Sequence, residues 1–157
     1  MKRATLYTDG GARGNPGPAG IGFVLVSEAG DELAAAGRYL GETTNNVAEY
    51  EALLAGLCAA RAVGADELLV RADSELVVKQ MRGEYRVKHP NLKPLFVRAQ
   101  ELVRGFALVR FEHVRRAENA RADGLANDAM DCQGDVGTWK AEPDGASRCQ
   151  QSLWEVS

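Results

Sequence analysis

The sequence has few of the features that mark membrane, exported or zinc-binding proteins. It contains no run of about 18 apolar residues, which argues against a transmembrane helix. Met1-Lys2-Arg3 leads into a predicted strand rather than into the apolar core of a signal peptide. The chain has only three cysteines, an odd number without CxxC spacing, which argues against a zinc site. We therefore predict a cytoplasmic protein with no membrane partner.

An excess of positive charge is missing as well. The 19 Lys and Arg residues are outnumbered by 22 Asp and Glu residues, which gives a net charge of −3. No global positive field would therefore attract nucleic acid, and a polyanion would have to be held by local Arg and Lys side chains and by metal ions. The length of 157 residues, with 45% hydrophobic and 26% charged residues, is typical of a soluble globular protein with one domain.

Apolar patterns and turn residues predict the element order βββαβααβα. Strands are predicted at residues 3–9, Gly20–Val26, about Glu32–Leu40, Leu68–Ala72 and Leu108–Val114. Helices are predicted from Asn45 to about Val63, over Glu75–Met81, over Leu95–Arg104, and from Asn119 or Ala120 to about Met130. This order predicts an α/β fold, a mixed five-stranded sheet with helices on both faces. Residues 1–130 form the predicted domain, and residues 131–157 a tail that is partly mobile or docked on it.

Four carboxylates stand at related places in this predicted fold. Asp9 ends the first strand and precedes a glycine-rich loop, and Asp73 ends the fourth strand. Glu49 is placed in the first turn of the first helix and Asp123 near the start of the last. Singly, a turn, a helix cap or the helix dipole accounts for each acid. Together they predict a site for Mg²⁺ or Mn²⁺, because the carboxyl ends of parallel strands meet at one sheet edge.

Four motifs occur in the order found in a known family. They are the segments at residues 7–18 (YTDGGARGNPGP), 44–53 (TNNVAEYEAL), 73–74 (DS) and 118–126 (ENARADGLA). Over residues 3 to about 130 the chain thereby resembles the type 1 ribonucleases H. The resemblance implies the ribonuclease H-like fold and endonucleolytic hydrolysis of the RNA strand of RNA/DNA hybrids, which leaves 5′-phosphate and 3′-hydroxyl ends. It also implies two Mg²⁺ ions per site with substrate bound, with Mn²⁺ as a substitute.

The resemblance assigns roles residue by residue. The implied catalytic and metal-binding acids are Asp9, Glu49, Asp73 and Asp123, with Asp9 bridging both ions. The implied substrate-binding residues are Gly10, Gly11, Asn15 and Asn45 on the RNA strand, Thr44 on a DNA phosphate, and Glu75 at a position that contacts RNA. Apart from the resemblance, Arg115 and Arg116 are candidate substrate-binding charges, with a solvated surface as the alternative. Asn45 is also a candidate helix cap.

The chain departs from the family pattern at its periphery. The segment Arg82–Pro94 is short and lacks the long lysine-rich projection of many bacterial members, so this is a short form. Val47 stands where many members have an arginine, and Glu75 replaces a glutamine. The loop before the last helix lacks the mobile histidine of the family. His113 is therefore either a packed strand residue or a catalytic aid, and both interpretations stay open.

Two alternatives to this function remain. One is a hybrid-binding module without catalysis, although a pure binder would gain from losing the acids. The other is a junction resolvase or exonuclease of the same broad fold, against which the GNPGP loop and the TNN segment favour ribonuclease H. We predict a monomer. Metal and sequence preference, activity on double-stranded RNA, the role of the tail and any disulfide among Cys58, Cys132 and Cys149 stay open.

Overall fold

A computed structural model describes residues 2–137 of the chain. The strands are β1 (Arg3–Ala12), β2 (Gly17–Ser27), β3 (Glu32–Thr43), β4 (Glu67–Ala72), β5 (Leu108–His113) and β6 (Val136–Gly137). The helices are α1 (Asn45–Ala62), α2 (Glu75–Met81), α3 (Lys93–Val103) and α4 (Ala120–Cys132), with a 3-10 turn at Arg116–Asn119. None of the helices in residues 2–137 is long and apolar enough to cross a membrane.

The strands form one mixed sheet in the order β5-β4-β1-β2-β3-β6. β1 pairs with β2, β2 with β3 and β3 with β6 in antiparallel fashion, whereas β1 with β4 and β4 with β5 are parallel pairs. The predicted α/β class and element order are confirmed. The predicted strand number is wrong, because the sheet has six strands. β6 is only two residues long, too short to show an alternating pattern in the sequence.

The glycines after Asp9 do not form the predicted loop. β1 continues through Gly10 and Gly11 to Ala12, with Gly10 opposite Ile21 of β2. A Cβ at Gly10 would overlap the backbone carbonyl of Ala48, so the glycine lets the start of α1 pack directly on β1. The sequence pattern marked glycine as a loop residue, whereas its function here is close approach of two backbones.

Helices cover both faces of the sheet, as predicted. The larger core lies between the sheet and α1, and α1 is buried around much of its circumference. On the other face α4 packs on β2 and β3 around a small cluster of Val24, Ala35, Ala122 and Leu125. Three strand glycines, which we call the glycine seat, lie beneath α4 and face its backbone carbonyls: Gly20, Gly22 and Gly37. Their missing side chains fix the height of α4 above the sheet.

Residues 131–137, which the sequence assigned to a tail, belong to regular structure. α4 runs on to Cys132, ends at Gln133 with a left-handed backbone (φ 52°), and is followed by β6 on the edge of β3. Cys132 is exposed and free, and Cys58 is buried in the core. Cys149 and the rest of the predicted tail, residues 138–157, lie outside the described residues, so the prediction for them stays untested.

Candidate active site

Parallel pairing brings Asp9 and Asp73 side by side. The last parallel pair between β1 and β4 is Thr8 opposite Ala72; Asp9 is the next residue within β1, and Asp73 is the first residue after β4. Both carboxylates therefore leave the sheet at the same edge. Sequence order alone predicts this meeting only if the two strands are parallel neighbours, and the structure shows that they are.

Glu49 reaches this edge from α1. It is the fifth residue of the helix, so the predicted place in the first turn is wrong. The hydroxyl of Ser74, which caps α2, donates a hydrogen bond of 2.8 Å to Oε2 of Glu49. The same hydroxyl accepts a hydrogen bond of 3.2 Å from the backbone N–H of Val77. Ser74 thereby orients the Glu49 carboxylate while it satisfies the start of α2.

Asp123 reaches the site from the first turn of α4. Its carboxylate accepts a hydrogen bond of 3.2 Å from Nη2 of Arg116 and one of 3.4 Å from Nδ2 of Asn127. Asn119, which is 1% exposed, donates from Nδ2 to the carbonyl oxygen of Thr8 at 2.8 Å. This bond ties the start of α4 to the residue that precedes Asp9.

Burial and the close spacing of the carboxylates raise the pKa values of Asp9 and Glu49. Burial and the nearby carboxylates of Asp73 and Asp123 raise the pKa of Asp9 from 3.8 to about 8. Burial raises the pKa of Glu49 from 4.5 to about 7, and the hydrogen bond from Ser74 opposes that rise. A cation between these acids would relieve both their repulsion and their desolvation.

The acids line a cleft of about 520 Å³. Gly10, Gly11, Ala12, Arg13, Asn45, His113, Val114, Arg115, Arg116, Asn127 and Met130 complete its walls. A second cleft of about 470 Å³ lies at the opposite end of β1. Its two acids, Glu28 and Glu67, are paired with Arg3, so that cleft offers no comparable concentration of unneutralised negative charge.

The donor set of the first cleft suits a hard divalent ion. All four acids offer oxygen, which Mg²⁺ and Mn²⁺ prefer. Within residues 2–137, no group of three or more His, Cys, Asp or Glu side chains is close enough together to hold a metal ion by itself. Mg²⁺ does not require such a cage, because it is commonly held by one or two carboxylates with waters and substrate phosphate oxygens. The residues present therefore fit a metal site that substrate completes.

Comparisons with known proteins agree with this geometry. The family described as Reverse transcriptase-like matches residues 7–129. The sequence is 50% identical to Ribonuclease HI of Halobacterium salinarum over 82% of this chain and 65% of that protein. The chain belongs to the type 1 ribonuclease H family. It spans only 39% of a longer mycobacterial relative, the Bifunctional protein Rv2228c of Mycobacterium tuberculosis, to which it is 47% identical over 90% of its own length.

Two solved structures show the same fold at high identity. The N-terminal ribonuclease H domain of Rv2228c, solved as a fusion with maltose-binding protein, is 49% identical. Its TM-score is 0.82 over 84% of this chain and 96% of that one. LC11-RNase H1 in complex with an RNA/DNA hybrid is 48% identical, with a TM-score of 0.79 over 83% of this chain and 98% of that one.

Five of the predicted substrate-binding residues of this ribonuclease H family member line the cleft. Gly10, Gly11, Asn45, Arg115 and Arg116 are there. His113 also lines it, with Nε2 at 3.3 Å from the carbonyl oxygen of Asp73, so the strand residue faces the site after all.

The other predicted substrate-binding residues, Thr44, Glu75 and Asn15, do not line the cleft. Thr44, not Asn45, caps α1, since its hydroxyl accepts a hydrogen bond of 3.3 Å from Val47. Glu75 is exposed and pairs with Lys79 at 2.8 Å. Asn15 lies just outside the cleft walls. Its Oδ1 accepts a hydrogen bond of 3.1 Å from the backbone N–H of Asn45. Asn45 Oδ1 in turn accepts one of 2.7 Å from Ala12, so these two amides hold the β1–β2 connection against α1.

Sequence reasoning missed two polar residues of the cleft wall, Arg13 and Asn127. Asn127 follows Asp123 by one helical turn, a spacing that could have revealed it. Arg13 lies in the β1–β2 connection and reaches across to α4, which no local pattern in the sequence indicates. Asn127 contacts the carboxylate of Asp123, and Arg13 contacts Asn127 and Asp131.

Proposed function

We propose that this chain is an endoribonuclease that hydrolyses the RNA strand of RNA/DNA hybrids with two divalent metal ions. The observation that carries the proposal is the convergence of Asp9, Asp73 and Asp123, with Glu49 beside them, in one cleft. A pure binding module would gain nothing from such a concentration of negative charge opposite a polyanion. The hybrid bound to the related LC11-RNase H1 supports the same substrate here.

The four carboxylates would hold two Mg²⁺ ions, with Mn²⁺ as a substitute. Asp9 interacts with the carboxylates of both Asp73 and Asp123, so we assign it as the ligand that the two ions would share. Glu49 and Asp73 would complete one ion and Asp123 the other. Two such ions supply Lewis-acid stabilisation of the charge on the attacking and leaving oxygens of an in-line displacement. Water then replaces the 3′-oxygen at phosphorus, which leaves a 5′-phosphate and a 3′-hydroxyl.

The chain's own residues orient this centre. Ser74 holds one oxygen of Glu49, and Asn119 fixes the backbone that carries Asp9. Nη2 of Arg116 lies 3.2 Å from Oδ1 of Asp123, and the negative charges of Asp9 and Asp73 also interact favourably with the Arg116 guanidinium. With metal bound between the acids, Arg116 is available to turn toward a substrate phosphate, since its side chain is 77% exposed.

Recognition of RNA over DNA is assigned to the bare backbone of Gly10 and Gly11 and to the amide of Asn45. All three line the cleft beside Asp9. The 2′-hydroxyl both donates and accepts hydrogen bonds, so peptide groups and amides without a covering side chain suit it. Asn15 supports this wall indirectly, through its bond to the backbone of Asn45.

The proposal is tested by one comparison of substrates. Blocked-end RNA/DNA hybrid, double-stranded RNA and double-stranded DNA are incubated with the protein and Mg²⁺ or Mn²⁺, and the product ends are analysed. We expect internal cleavage of the hybrid's RNA strand only, with 5′-phosphate ends, and none by a folded Asp9→Asn variant. Cleavage confined to free ends, cleavage of all three duplexes, or full activity of the variant would contradict the proposal.

A further inference from the structure

Arg13 bridges the mouth of the cleft. It lies in the connection between β1 and β2, and its Nη1 is 2.7 Å from Oδ1 of Asp131 on α4. Its Nη2 is 3.5 Å from the carbonyl oxygen and 3.4 Å from Oδ1 of Asn127. Asp123, Asn127 and Asp131 recur at every fourth position, so they share one face of α4, and Arg13 lies against that face.

The position of Asp131 is unfavourable for a purely structural acid. It stands in the last turn of α4, where the helix dipole repels negative charge, and that turn contains no basic residue. The side chains of Arg13 and Asp131 are 47% and 66% exposed, so their ion pair contributes little to stability. The stability of the fold therefore does not explain why Arg13 and Asp131 are paired.

We propose that Arg13 binds a backbone phosphate of the RNA strand. In the absence of substrate, the guanidinium of Arg13 forms an ion pair with Asp131, and the phosphate displaces Asp131 when substrate binds. A guanidinium presents a planar fork that matches a phosphate as well as a carboxylate, so the two anions compete for it. This inference rests on the proposed function, because it takes the strand that enters the acidic cleft to be the RNA strand.

The spacing along α4 places this contact away from the chemistry. Asp131 lies eight residues beyond Asp123, about 12 Å along the helix axis. A nucleic-acid strand advances by about 3.4 Å per nucleotide, so Arg13 would contact a phosphate more than one nucleotide from the scissile bond. Its contribution is therefore to substrate binding, and kcat should not depend on it.

Two substitutions with opposite expected effects test the proposal in steady-state cleavage of a hybrid. Arg13→Ala should raise KM about three- to tenfold with kcat unchanged, and should lower the slope of log KM against log salt by about 0.7–0.9. Asp131→Asn removes the competitor and should lower KM about two- to threefold. The double variant should behave like Arg13→Ala, and Arg13→Lys should keep the salt slope.

Controls separate this role from a structural tie between the loop and α4. If the ion pair only held the two elements together, Arg13→Ala and Asp131→Asn would change KM in the same direction, and the proposal would be wrong. An unchanged KM for Arg13→Ala would overturn it too. Arg121→Ala is the matched control, since Arg121 lies on α4 and, like Arg13, forms an exposed ion pair, here with Glu32, but outside the cleft. Wild-type protein that cleaves no hybrid would instead overturn the proposed function.

Discussion

Glu51 gives a quantitative test of how burial affects this fold. It is the residue two positions after Glu49 on α1, is 2% exposed, and its Oε2 has no hydrogen-bond partner within the described residues. Burial raises its pKa from 4.5 to about 7. A folded-state pKa above the unfolded value means that stability is full below about pH 4.5 and falls until about pH 7.

The expected size of this loss follows from the shift. Each pKa unit corresponds to 1.36 kcal/mol, so ionisation of Glu51 removes about 3 kcal/mol from the free energy of unfolding at pH 8. Glu51→Gln has nearly the same shape and cannot ionise. We expect the free energy of unfolding of the variant to match that of the wild type at pH 4 and to exceed it by about 3 kcal/mol at pH 8, equivalent to about 6–12 °C in Tm.

Urea unfolding of both proteins from pH 4 to pH 8, in buffer with a metal chelator, measures this difference. Asp9 and Glu49 ionise over the same range in both proteins, so subtracting the two curves isolates Glu51. A difference that does not vary with pH, or a variant that is less stable at pH 8, would refute the reasoning. Cleavage activity of the variant at pH 8 verifies that its cleft is intact.

Three further predictions concern the site and its support. Asp9→Asn should be more stable than the wild type at pH 8 without metal, because it removes one of three close carboxylates, and added Mg²⁺ should raise the Tm of the wild type but not of the variant. Ser74→Ala should lower activity about 10- to 100-fold and stability by about 1 kcal/mol, whereas Ser74→Thr should recover most of the activity. Gly22→Ala should cost about 1–3 kcal/mol in urea unfolding, because its Cβ would meet the carbonyl oxygen of Ala122.

The convergence of the acids could be predicted because it depends on strand order. Asp9 lies in β1 just beyond the last residue paired with β4, and Asp73 directly follows β4, so the parallel pair places both at one edge. The contacts that orient the acids could not be predicted in the same way. The bonds from Ser74 to Glu49 and from Asn119 to Thr8 join elements far apart in sequence, and they form only after α1, α2 and α4 have packed on the sheet.

Local sequence patterns gave wrong predictions for residue types that have more than one common structural role, such as glycine and asparagine. Gly10 and Gly11 were predicted as a loop, but they are strand residues that let α1 approach. Asn45 was a candidate cap, but Thr44 performs that role and Asn45 binds the backbone of Ala12. The bridge from Arg13 to Asp131 has no local signal at all, because its partners lie at opposite ends of the described chain.

The glycine seat has a consequence for the metal site proposed above. Asp123 is carried by α4, whereas Asp9 and Asp73 are carried by the sheet, so the height of α4 sets the gap that an ion must fill. Mg²⁺ binds oxygen at about 2.0–2.1 Å and Ca²⁺ at about 2.3–2.6 Å. Because the backbone carbonyls of α4 rest on Gly20, Gly22 and Gly37, a methyl group at one of these positions would lift the helix and widen the gap. If the proposed site binds metal ions as inferred above, we expect its metal preference to change when one of these three glycines is replaced by alanine, although none of them would contact the metal.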